Sequence, residues 1–359
     1  MPVSAVGACA GINLALSPTY SVVERNSGTG WTNAGPNGTD FRGKMVGFKN
    51  STGSVVFVSG YRQGYGASLW RSTNYGILWS EVRNGTDPSG KFNGILVDPV
   101  NTDRIYAFGK VEVEDYIDVS INAGVGWEAL GFSSEVSDMV VDATDAQPSY
   151  STKLFASVYN GSSSRLGVWK TTNAGVNWAR LSHSLVQGQP VRALALHPYN
   201  PSCLYAAGGS SGSWWLRKST DGGTNWSTIP GITTEITRMI MPPAYTNSAN
   251  HLWVVSDAGN KIFKTTNGGS NWAEVNTDAL PKPIYDIRKD IGNDSLMNVA
   301  TASGVYKINP PPEPPINLVG STENNHPKIT WDANIETDLK QTGTYEVYRY
   351  FRSCTYVGP

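Results

Sequence analysis

The sequence predicts an all-β fold assembled from repeated units, on the basis of its tryptophan spacing, a recurring turn motif and its composition. Tryptophans recur at intervals of 48, 48, 51, 48 and 46 residues, at positions Trp31, Trp79, Trp127, Trp178, Trp226 and Trp272. A period in this range is typical of repeat architectures in which each repeat is one supersecondary unit. The 359 residues include 38 glycines and only 16% charged residues, which is typical of many short strands joined by tight turns.

A turn motif, Ser/Thr-x-Asn/Asp-x-Gly-x-x-Trp, ends at each of these periodic tryptophans from Trp79 to Trp272. The Asn or Asp side chain accepts hydrogen bonds from nearby backbone amides, the glycine supplies a left-handed φ, and the hydroxyl adds a second local bond. The tryptophan anchors the turn by burying a large apolar ring. The five copies contain Asn74, Gly76 and Trp79; Asn122, Gly124 and Trp127; Asn173, Gly175 and Trp178; Asp221, Gly223 and Trp226; and Asn267, Gly269 and Trp272. A degraded first copy keeps Asn26, Gly28 and Trp31 but has Glu24 at the hydroxyl position.

Alignment of the copies on their tryptophans predicts four short strands per repeat, named A, B, C and D in chain order. Strand A is exemplified by 92–97 and 191–196, strand C precedes each turn motif, and strand D follows it. Five complete repeats span roughly 42–275. Three further strands are expected around 5–31 and three from 284 to 308, which favours seven repeats, or six if the two end segments merge. Closing the repeats into a ring removes exposed sheet edges, so we expect the two ends to meet.

The turn motif resembles the Asp-box, or BNR repeat, of bacterial-type sialidases, sortilin, xyloglucanase-type endoglucanases and the photosystem II stability-factor family. The resemblance implies a β-propeller over residues 1–309, most consistent with seven blades. Four of the five good copies carry Asn where the family has Asp, and Asn supports the same turn. The resemblance is specific for fold but not for activity, because its members hydrolyse, bind or chaperone different molecules.

A second domain is predicted after residue 309. Residues 310–315 read Pro-Pro-Pro-Glu-Pro-Pro, which favours a stiff extended linker. Residues 316–359 resemble the N-terminal half of a fibronectin type III β-sandwich, on the basis of the proline entry, Trp331 and the Tyr345/Tyr348 strand. Half a sandwich cannot bury its core, so we expect the natural chain to continue beyond this sequence.

Bulk properties narrow the function classes. A net charge of −1 gives no electrostatic case for nucleic acid or an anionic membrane, and no apolar stretch approaches the ~20 residues that span a bilayer. The three cysteines, Cys9, Cys203 and Cys354, lack metal-ligand spacing and are interpreted as free thiols. We expect neither metal nor cofactor. Because members of the resembled families are mostly exported, we expect an extracellular or cell-surface protein whose signal lies outside this sequence.

Loop order places the candidate site. Successive hairpins alternate ends, so the C–D turns that carry the motif share one end of the ring with the A–B turns, and the B–C and D–A loops share the other end. The motif end is expected to be structural. A ligand is expected at the B–C/D–A end, where the first residues of each innermost strand line the mouth of the central channel. Those residues are Lys44, Asn93, Asp138, Arg192, Arg238, Tyr285 and Asp286.

Aromatic residues are expected to surround that mouth, namely Tyr61, Tyr65, Tyr116, Tyr159, Trp214 and Trp215, although packing is favoured over ligand contact as the explanation of the two tryptophans. Flat rings beside amides, carboxylates and guanidinium groups suit a sugar-binding site. The sequence therefore favours a binding module for polysaccharide or an extracellular protein partner.

The alternative is a glycoside hydrolase, which generally needs two carboxylates across the scissile bond. Asp138 and Asp286 would lie three blades apart and are the candidate pair. A xyloglucanase-like endoglucanase is the favoured form of this alternative and a sialidase the weaker one. The segment Phe41-Arg42-Gly-Lys lacks the Ile-Pro of the Phe-Arg-Ile-Pro signature of sialidases, and it follows the first motif copy instead of preceding all of them. The xyloglucanase-type enzymes place their acid and base between two propellers, and only one is predicted in this sequence. A third hypothesis, an assembly factor like the photosystem II stability group, is disfavoured by the fibronectin-like segment.

Overall fold

Twenty-nine strands form within the described part of the chain. The computed structural model describes residues 5–9, 12–17, 22–26, 31–35, 41–48, 54–62, 64–85, 87–111, 116–145, 149–241, 250–289, 297–301, 304–308, 316–323 and 326–332. Side-chain surroundings are described for Gly35, for most of these residues between 54 and 301, and for Tyr306 and Ile308. Contacts divide the chain into Met1–Ile308 and Asn309–Pro359.

In Met1–Ile308, the strands are β1 (Ala5–Cys9), β2 (Ile12–Ser17), β3 (Val22–Asn26), β4 (Trp31–Gly35), β5 (Phe41–Phe48), β6 (Val56–Arg62), β7 (Gly66–Ser72), β8 (Ser80–Asn84), β9 (Lys91–Val97), β10 (Ile105–Lys110), β11 (Ile117–Ser120), β12 (Glu128–Ala129), β13 (Val136–Val141), β14 (Leu154–Val158), β15 (Gly167–Thr171), β16 (Ala179–Arg180), β17 (Val191–Leu196), β18 (Leu204–Ser210), β19 (Ser213–Ser219), β20 (Ser227–Ile229), β21 (Ile236–Ile240), β22 (Leu252–Ser256), β23 (Lys261–Thr265), β24 (Ala273–Val275), β25 (Ile284–Lys289), β26 (Met297–Thr301) and β27 (Gly304–Ile308). A short 3-10 turn, Asp257–Gly259, links β22 and β23.

Consecutive strands pair antiparallel into separate sheets. The described residues form six four-stranded sheets, β1–β4, β5–β8, β9–β12, β13–β16, β17–β20 and β21–β24, and one three-stranded sheet, β25–β27. The first strand of each sheet contacts the first strand of the next, and β25 contacts β1, so these strands follow one another around a ring. This is the arrangement of a β-propeller. The expectation of three strands in the first sheet was wrong, because Ala5–Cys9 pairs with Ile12–Ser17 and supplies a fourth.

Each sheet from β5–β8 to β25–β27 has a shift of register in its first strand, close to where that strand begins. One residue has no partner on the neighbouring second strand, which is the geometry of a β-bulge. In β5, for example, Gly43 pairs with Gly60 and Met45 pairs with Ser59, so Lys44 is the extra residue. The six unpaired residues, here called the bulge residues, are Lys44, Asn93, Ser137, Arg192, Thr237 and Tyr285.

Hydrophobic cores lie between neighbouring sheets. In one of them Phe155 and Val168 of the β13–β16 sheet pack with Leu194 and Leu204 of the β17–β20 sheet, and Trp226 joins the same cluster. Equivalent clusters fill the neighbouring spaces on either side. Burial of apolar side chains stabilises a fold by about 25 cal/mol per Å² of surface removed from water. These clusters are therefore the main stabilising contact between neighbouring sheets.

The turn motif forms the same hydrogen bonds in all five good copies. In the copy that begins at Ser219, the Ser219 hydroxyl accepts a bond from the Gly223 amide at 2.8 Å and donates to Asp221 Oδ1 at 2.9 Å. Asp221 Oδ1 also accepts from the Asn225 amide at 2.8 Å. Gly223 has a φ of +93°, which L side chains rarely adopt, and a Cβ there would lie 2.5 Å from Leu181 Cδ1.

The turn motifs share one end of the ring with the A–B turns, as the loop order predicts. Within each of five sheets, an amide of the motif donates to a carbonyl of the A–B turn; Gly222 donates to Ser202, for example, at 2.9 Å. The motif also contacts the preceding sheet, because a basic side chain there donates to its backbone carbonyl. Arg71 Nε bonds the Ala123 carbonyl at 2.7 Å, and Arg104 Nη2 bonds the Ala174 carbonyl at 3.2 Å.

In Asn309–Pro359, β28 (Ile316–Glu323) and β29 (His326–Asp332) form one antiparallel two-stranded sheet within the described residues. The predicted proline linker at 310–315 and the predicted Tyr345/Tyr348 strand lie outside the described residues, as does the side chain of Trp331. In the described part of the chain, no helix is both long enough and apolar enough to cross a membrane. Cys203 is a buried free thiol whose pKa is raised by burial, and Cys9 and Cys354 lie outside the described side chains.

We expect Ser219→Ala to lower the free energy of unfolding by about 1–2 kcal/mol, because it leaves the buried Gly223 amide without its acceptor. The measurement is the urea unfolding midpoint followed by tryptophan fluorescence. Thr220→Ala is the matched control, since Thr220 is an exposed neighbour in the same turn. Equal midpoints for the two variants would contradict a structural role for the hydroxyl.

We expect the stability of the protein to fall between pH 6.5 and pH 4 through His251. Burial, reinforced by Lys264, lowers the pKa of His251 to about 4, whereas its pKa in the unfolded chain is about 6.5. The unfolded chain therefore binds one more proton in this window, and the stability present above pH 6.5 is lost as the pH falls. The loss is about 1–2 kcal/mol after discounting for partial exposure. Urea unfolding of His251→Asn should show a flatter pH profile, with pH 8 as the reference at which His251 is neutral in both states.

Candidate functional site

A cavity of about 420 Å³ opens at the end of the ring opposite the turn motifs. Its walls come from the starts of five first strands, β9, β13, β17, β21 and β25, and from the B–C and D–A loops beside them. We call it the mouth cavity. It is lined by Lys91, Asn93, Glu135, Ser137, Tyr159, Asn160, Arg192, Thr237, Arg238, Ala258, Ile284 and Tyr285.

The bulge residues explain how this lining is built. Five of the six, Asn93, Ser137, Arg192, Thr237 and Tyr285, line the mouth cavity. A bulge re-aims the side chain of the extra residue away from the regular alternation of the strand. The backbone of Lys44 has the same shift in β5, and its side chain lies outside the described residues.

Charged side chains around the mouth cavity are paired with one another. Arg192 Nη2 lies 2.9 Å from Glu235 Oε1, and the Arg192 guanidinium stacks over the Tyr159 ring at 4.2 Å from its centroid. Glu135 lies 3.4 Å from Lys91 Nζ and accepts a bond from Asn93 Nδ2 at 3.2 Å. The pairing holds the cations in place and leaves a cavity rich in both donors and acceptors beside an aromatic face, which suits a hydroxylated ligand.

A second cavity, of about 200 Å³, adjoins the mouth cavity. Asn93, Ser137 and Arg238 line both cavities. The remaining lining residues lie further along the same first strands, except Phe108, which is on β10. We call it the inner cavity. Asp138 and Asp286, the carboxylates singled out in the sequence, both line it.

The two carboxylates have different surroundings. Asp138 Oδ2 accepts a bond from the Leu194 amide and Oδ1 from the Met139 amide, each at 2.9 Å. Burial raises the pKa of Asp138, and these amides with Arg238 and Arg288 offset only part of that effect. Asp286 is ion-paired instead, with its Oδ2 3.1 Å from Arg288 Nε and its Oδ1 3.7 Å from Arg238 Nε. The Asp286 carboxylate in turn raises the pKa of Arg288.

The structure brings together most of the predicted strand residues but few of the predicted aromatic ones. Asn93, Arg192, Arg238 and Tyr285 line the mouth cavity, as does Tyr159. In β13 and β21 the bulge is one residue earlier than the predicted Asp138 and Arg238, at Ser137 and Thr237. Asp138 and Asp286 therefore lie in the inner cavity and do not line the mouth.

The other predicted aromatic residues do not line the mouth cavity. Tyr65 is 56% exposed beneath the Arg62 guanidinium, and Tyr116 packs on the core between neighbouring sheets. Trp215 packs on another core with Arg217 stacked on it at 3.8 Å, which favours the packing explanation. Trp214 is half-buried on β19, and the side chain of Tyr61 lies outside the described residues.

Several lining residues were missed by the sequence reasoning, notably Lys91, Glu135, Ser137 and Thr237. A closer comparison of two repeats contains the missing signal. Residues 134–141, Ser-Glu-Val-Ser-Asp-Met-Val-Val, correspond one by one to 234–241, Thr-Glu-Ile-Thr-Arg-Met-Ile-Met. This alignment pairs Glu135 with Glu235 and Ser137 with Thr237.

Among the described residues, no group of three or more His, Cys, Asp or Glu side chains is placed to hold a metal ion. The polar side chains that line the two cavities carry carboxylates, guanidinium groups, an ammonium group, amides and hydroxyls.

No protein-family model matches the chain. Two curated xyloglucanases are similar to it. That of Paenibacillus sp is 24% identical over 252 residues, which are 70% of this chain and 23% of the relative. Xyloglucanase Xgh74A of Acetivibrio thermocellus is 24% identical over 268 residues, which are 68% of this chain and 27% of the relative. The chain thus spans about a quarter of the length of these relatives.

Solved structures of similar shape include the GH74 enzyme of Niastella koreensis, with a TM-score of 0.68, 16% identity, and coverage of 86% of this chain and 52% of that one. YCF48 from Cyanidioschyzon merolae has a TM-score of 0.58 and 13% identity, and covers 85% of this chain and 94% of its own. At these identities the likeness concerns the fold alone. The chain has a β-propeller fold.

We expect Arg238→Met to raise the pKa of Asp138 further above its ordinary value of 3.8, because the guanidinium stabilises the charged carboxylate. The measurement is a ¹³C NMR titration of the carboxyl carbons, with the Asp138 signal assigned from its loss in Asp138→Asn. Lys91→Met is the control, since Lys91 lines only the mouth cavity. An unchanged midpoint in Arg238→Met would contradict the electrostatic coupling.

Proposed function

We propose that the propeller belongs to a xyloglucanase-like glycoside hydrolase and binds polysaccharide at the mouth cavity. The single observation that carries the proposal is the pair of carboxylates in unlike surroundings beneath a polar, aromatic mouth. The similarity to two xyloglucanases supports a glycoside hydrolase better than it supports a pure binding module. A polysaccharide is accordingly the proposed partner.

The proposed chemistry assigns one role to each carboxylate. Asp138, whose pKa is raised by burial, supplies a proton to the leaving glycosidic oxygen as the bond between that oxygen and the anomeric carbon breaks. Asp286, whose oxygens lie 3.1 Å from Arg288 Nε and 3.7 Å from Arg238 Nε, presents its carboxylate to the sugar and stabilises the developing positive charge there. Water adds its oxygen to the anomeric carbon and gives up one proton to Asp286, so that one water is consumed per bond cleaved.

The second candidate function is a polysaccharide-binding module without turnover. Arg192 stacked on Tyr159 and the Glu135–Lys91 pair favour it, because they provide a sugar platform and hydroxyl-binding groups that need no catalysis. The matched region covers only about a quarter of each curated relative, so about three quarters of each xyloglucanase lies outside that region.

We further propose that the ring is a seven-bladed propeller of the Asp-box type covering residues 1–309. Residues 310–315 are proposed to form a linker, and 316–359 to begin a fibronectin type III-like sandwich. The seven sheets and the hydrogen-bonded turn motifs of the described residues support the first of these proposals. An extracellular location is proposed with them, since it is where a polysaccharide substrate of this size would be met.

Incubation of the purified chain with xyloglucan should release new reducing ends, and Asp138→Asn should lower the rate by about 10²–10⁴-fold, the usual contribution of a general acid. The matched control is Asp118→Asn, which changes another buried carboxylate that pairs with an arginine, Arg83, outside both cavities. Binding is measured in parallel by affinity gel electrophoresis.

Three results are distinguishable. Turnover that depends on Asp138 supports the hydrolase. Equal binding by the wild type and Asp138→Asn without any turnover supports the binding module instead. Neither binding nor turnover would overturn both candidate functions.

A further inference from the structure

The inner cavity, here also called the chamber, lies among the first strands of the ring. Its lining residues come from the five first strands β9, β13, β17, β21 and β25 and, for Phe108, from the second strand β10, so strands surround it from several sides. Its 200 Å³ would hold about seven water molecules at ~30 Å³ each, which suits one sugar ring with its hydroxyls. Access from the mouth cavity passes Asn93, Ser137 and Arg238, which line both cavities.

Asp286 has a buried carboxylate oxygen in this chamber that can accept a hydrogen bond from a ligand. Its side chain is only 2% exposed, and its Oδ2 is occupied by Arg288 Nε. Its Oδ1 accepts no hydrogen bond from the described residues, and the nearest cationic atom, Arg238 Nε, is 3.7 Å away. A buried carboxylate oxygen without a donor is unfavourable, so a ligand that donates a hydrogen bond to it gains binding free energy.

The groups around Asp286 define what such a ligand must offer. Arg238 and Arg288 present guanidinium donors beside the open acceptor of Asp286. A hydroxyl group satisfies both because it donates and accepts, whereas an ammonium ion only donates and a carboxylate only accepts. Leu96, Phe108 and Met239 supply apolar walls in the same chamber, which suit the C–H faces of a sugar ring.

Surrounding strands restrict how the sugar arrives. A long polysaccharide lying across the mouth cavity cannot place an internal residue into a chamber enclosed by five strands. Only a sugar that is linked to the polysaccharide at a single position can enter, either at a chain end or as a single-sugar branch.

We propose that the inner cavity binds one terminal sugar residue of the polysaccharide, with a hydroxyl donating to Asp286 Oδ1. The proposal rests on the proposed function and deepens it, because it names the part of the polysaccharide that is recognised. Chain ends and single-sugar branches share this chemistry, and the experiment separates them.

The test compares the binding of three xyloglucan probes by isothermal titration calorimetry: the intact polymer, its limit-digest oligosaccharides, and the polymer after enzymatic removal of its single-sugar branches. We expect oligosaccharides and polymer to bind with equal affinity when concentration is expressed per terminal sugar. Loss of binding on debranching identifies the branch as the bound terminus, and retention identifies the chain end. Affinity that follows polymer mass and is absent from oligosaccharides would overturn the inference.

Two variants test the chamber itself. We expect Asp286→Asn and Ser137→Trp each to weaken the binding of every probe that binds by about tenfold or more. Ser137→Trp narrows the passage without touching the ion pairs. Their controls are Asp118→Asn, another buried carboxylate paired with arginine, and Ser227→Trp, on the exposed strand β20. Melting temperatures identify any variant that fails to fold, and Ser137→Trp then carries the test.

Failure of this inference differs from failure of the proposed function. Wild-type binding to the polymer that neither Asp286→Asn nor Ser137→Trp weakens would leave the mouth cavity as the binding site and remove the terminal-sugar role. No binding of any probe by the wild type would overturn the proposed function and this inference together.

Discussion

The rest of the propeller depends on the apolar cores between neighbouring sheets, and hydrogen bonds from a preceding sheet to three of the turn motifs add a directional contact at one end of the ring. Arg71 reaches the Ala123 carbonyl, Arg104 reaches the Ala174 carbonyl, and Lys170 reaches the Gly222 carbonyl. Each bond joins two neighbouring sheets at the motif end of the ring, where the glycine brings the backbone close to apolar side chains of the preceding sheet. These contacts recur from sheet to sheet and act beside the apolar cores that fill the spaces between sheets.

The opposite end obeys a different constraint. There the first strand of six of the seven described sheets has a bulge, and the bulge residue has no partner on the second strand. Paired strands deeper in the ring keep their regular alternation and bury apolar side chains between sheets. The ring therefore separates a rigid repeated end from a chemically varied end, and the carboxylates Asp138 and Asp286 lie between them on the channel side.

The sequence predicted the repeat, the strand order and the two ends of the ring, because the turn motif and the tryptophan period report local hydrogen bonding that recurs in every copy. It also predicted Asn93, Arg192 and Tyr285 at the mouth. In β13 it chose Asp138, one residue after the bulge residue Ser137 that lines the mouth, since a bulge alters the register without changing the hydrophobic pattern of the strand. In β21 it chose Arg238, which lines the mouth, and missed the bulge residue Thr237 beside it. Trp215 was ambiguous for another reason. The sequence around a tryptophan near a strand start is the same whether the ring packs on a core or contacts a ligand, and only the neighbouring side chains in the structure show that Trp215 packs on a core.

The bulges also have an evolutionary consequence. The six bulge residues are Lys, Asn, Ser, Arg, Thr and Tyr, all different, whereas the strand residues that follow them are mostly apolar in every one of these strands except β25. Substitution at such a position changes the rim of the channel without changing strand pairing or the cores between sheets. Gene duplication of a single repeat thus produces a scaffold in which recognition can diversify one position at a time while folding remains under separate selection.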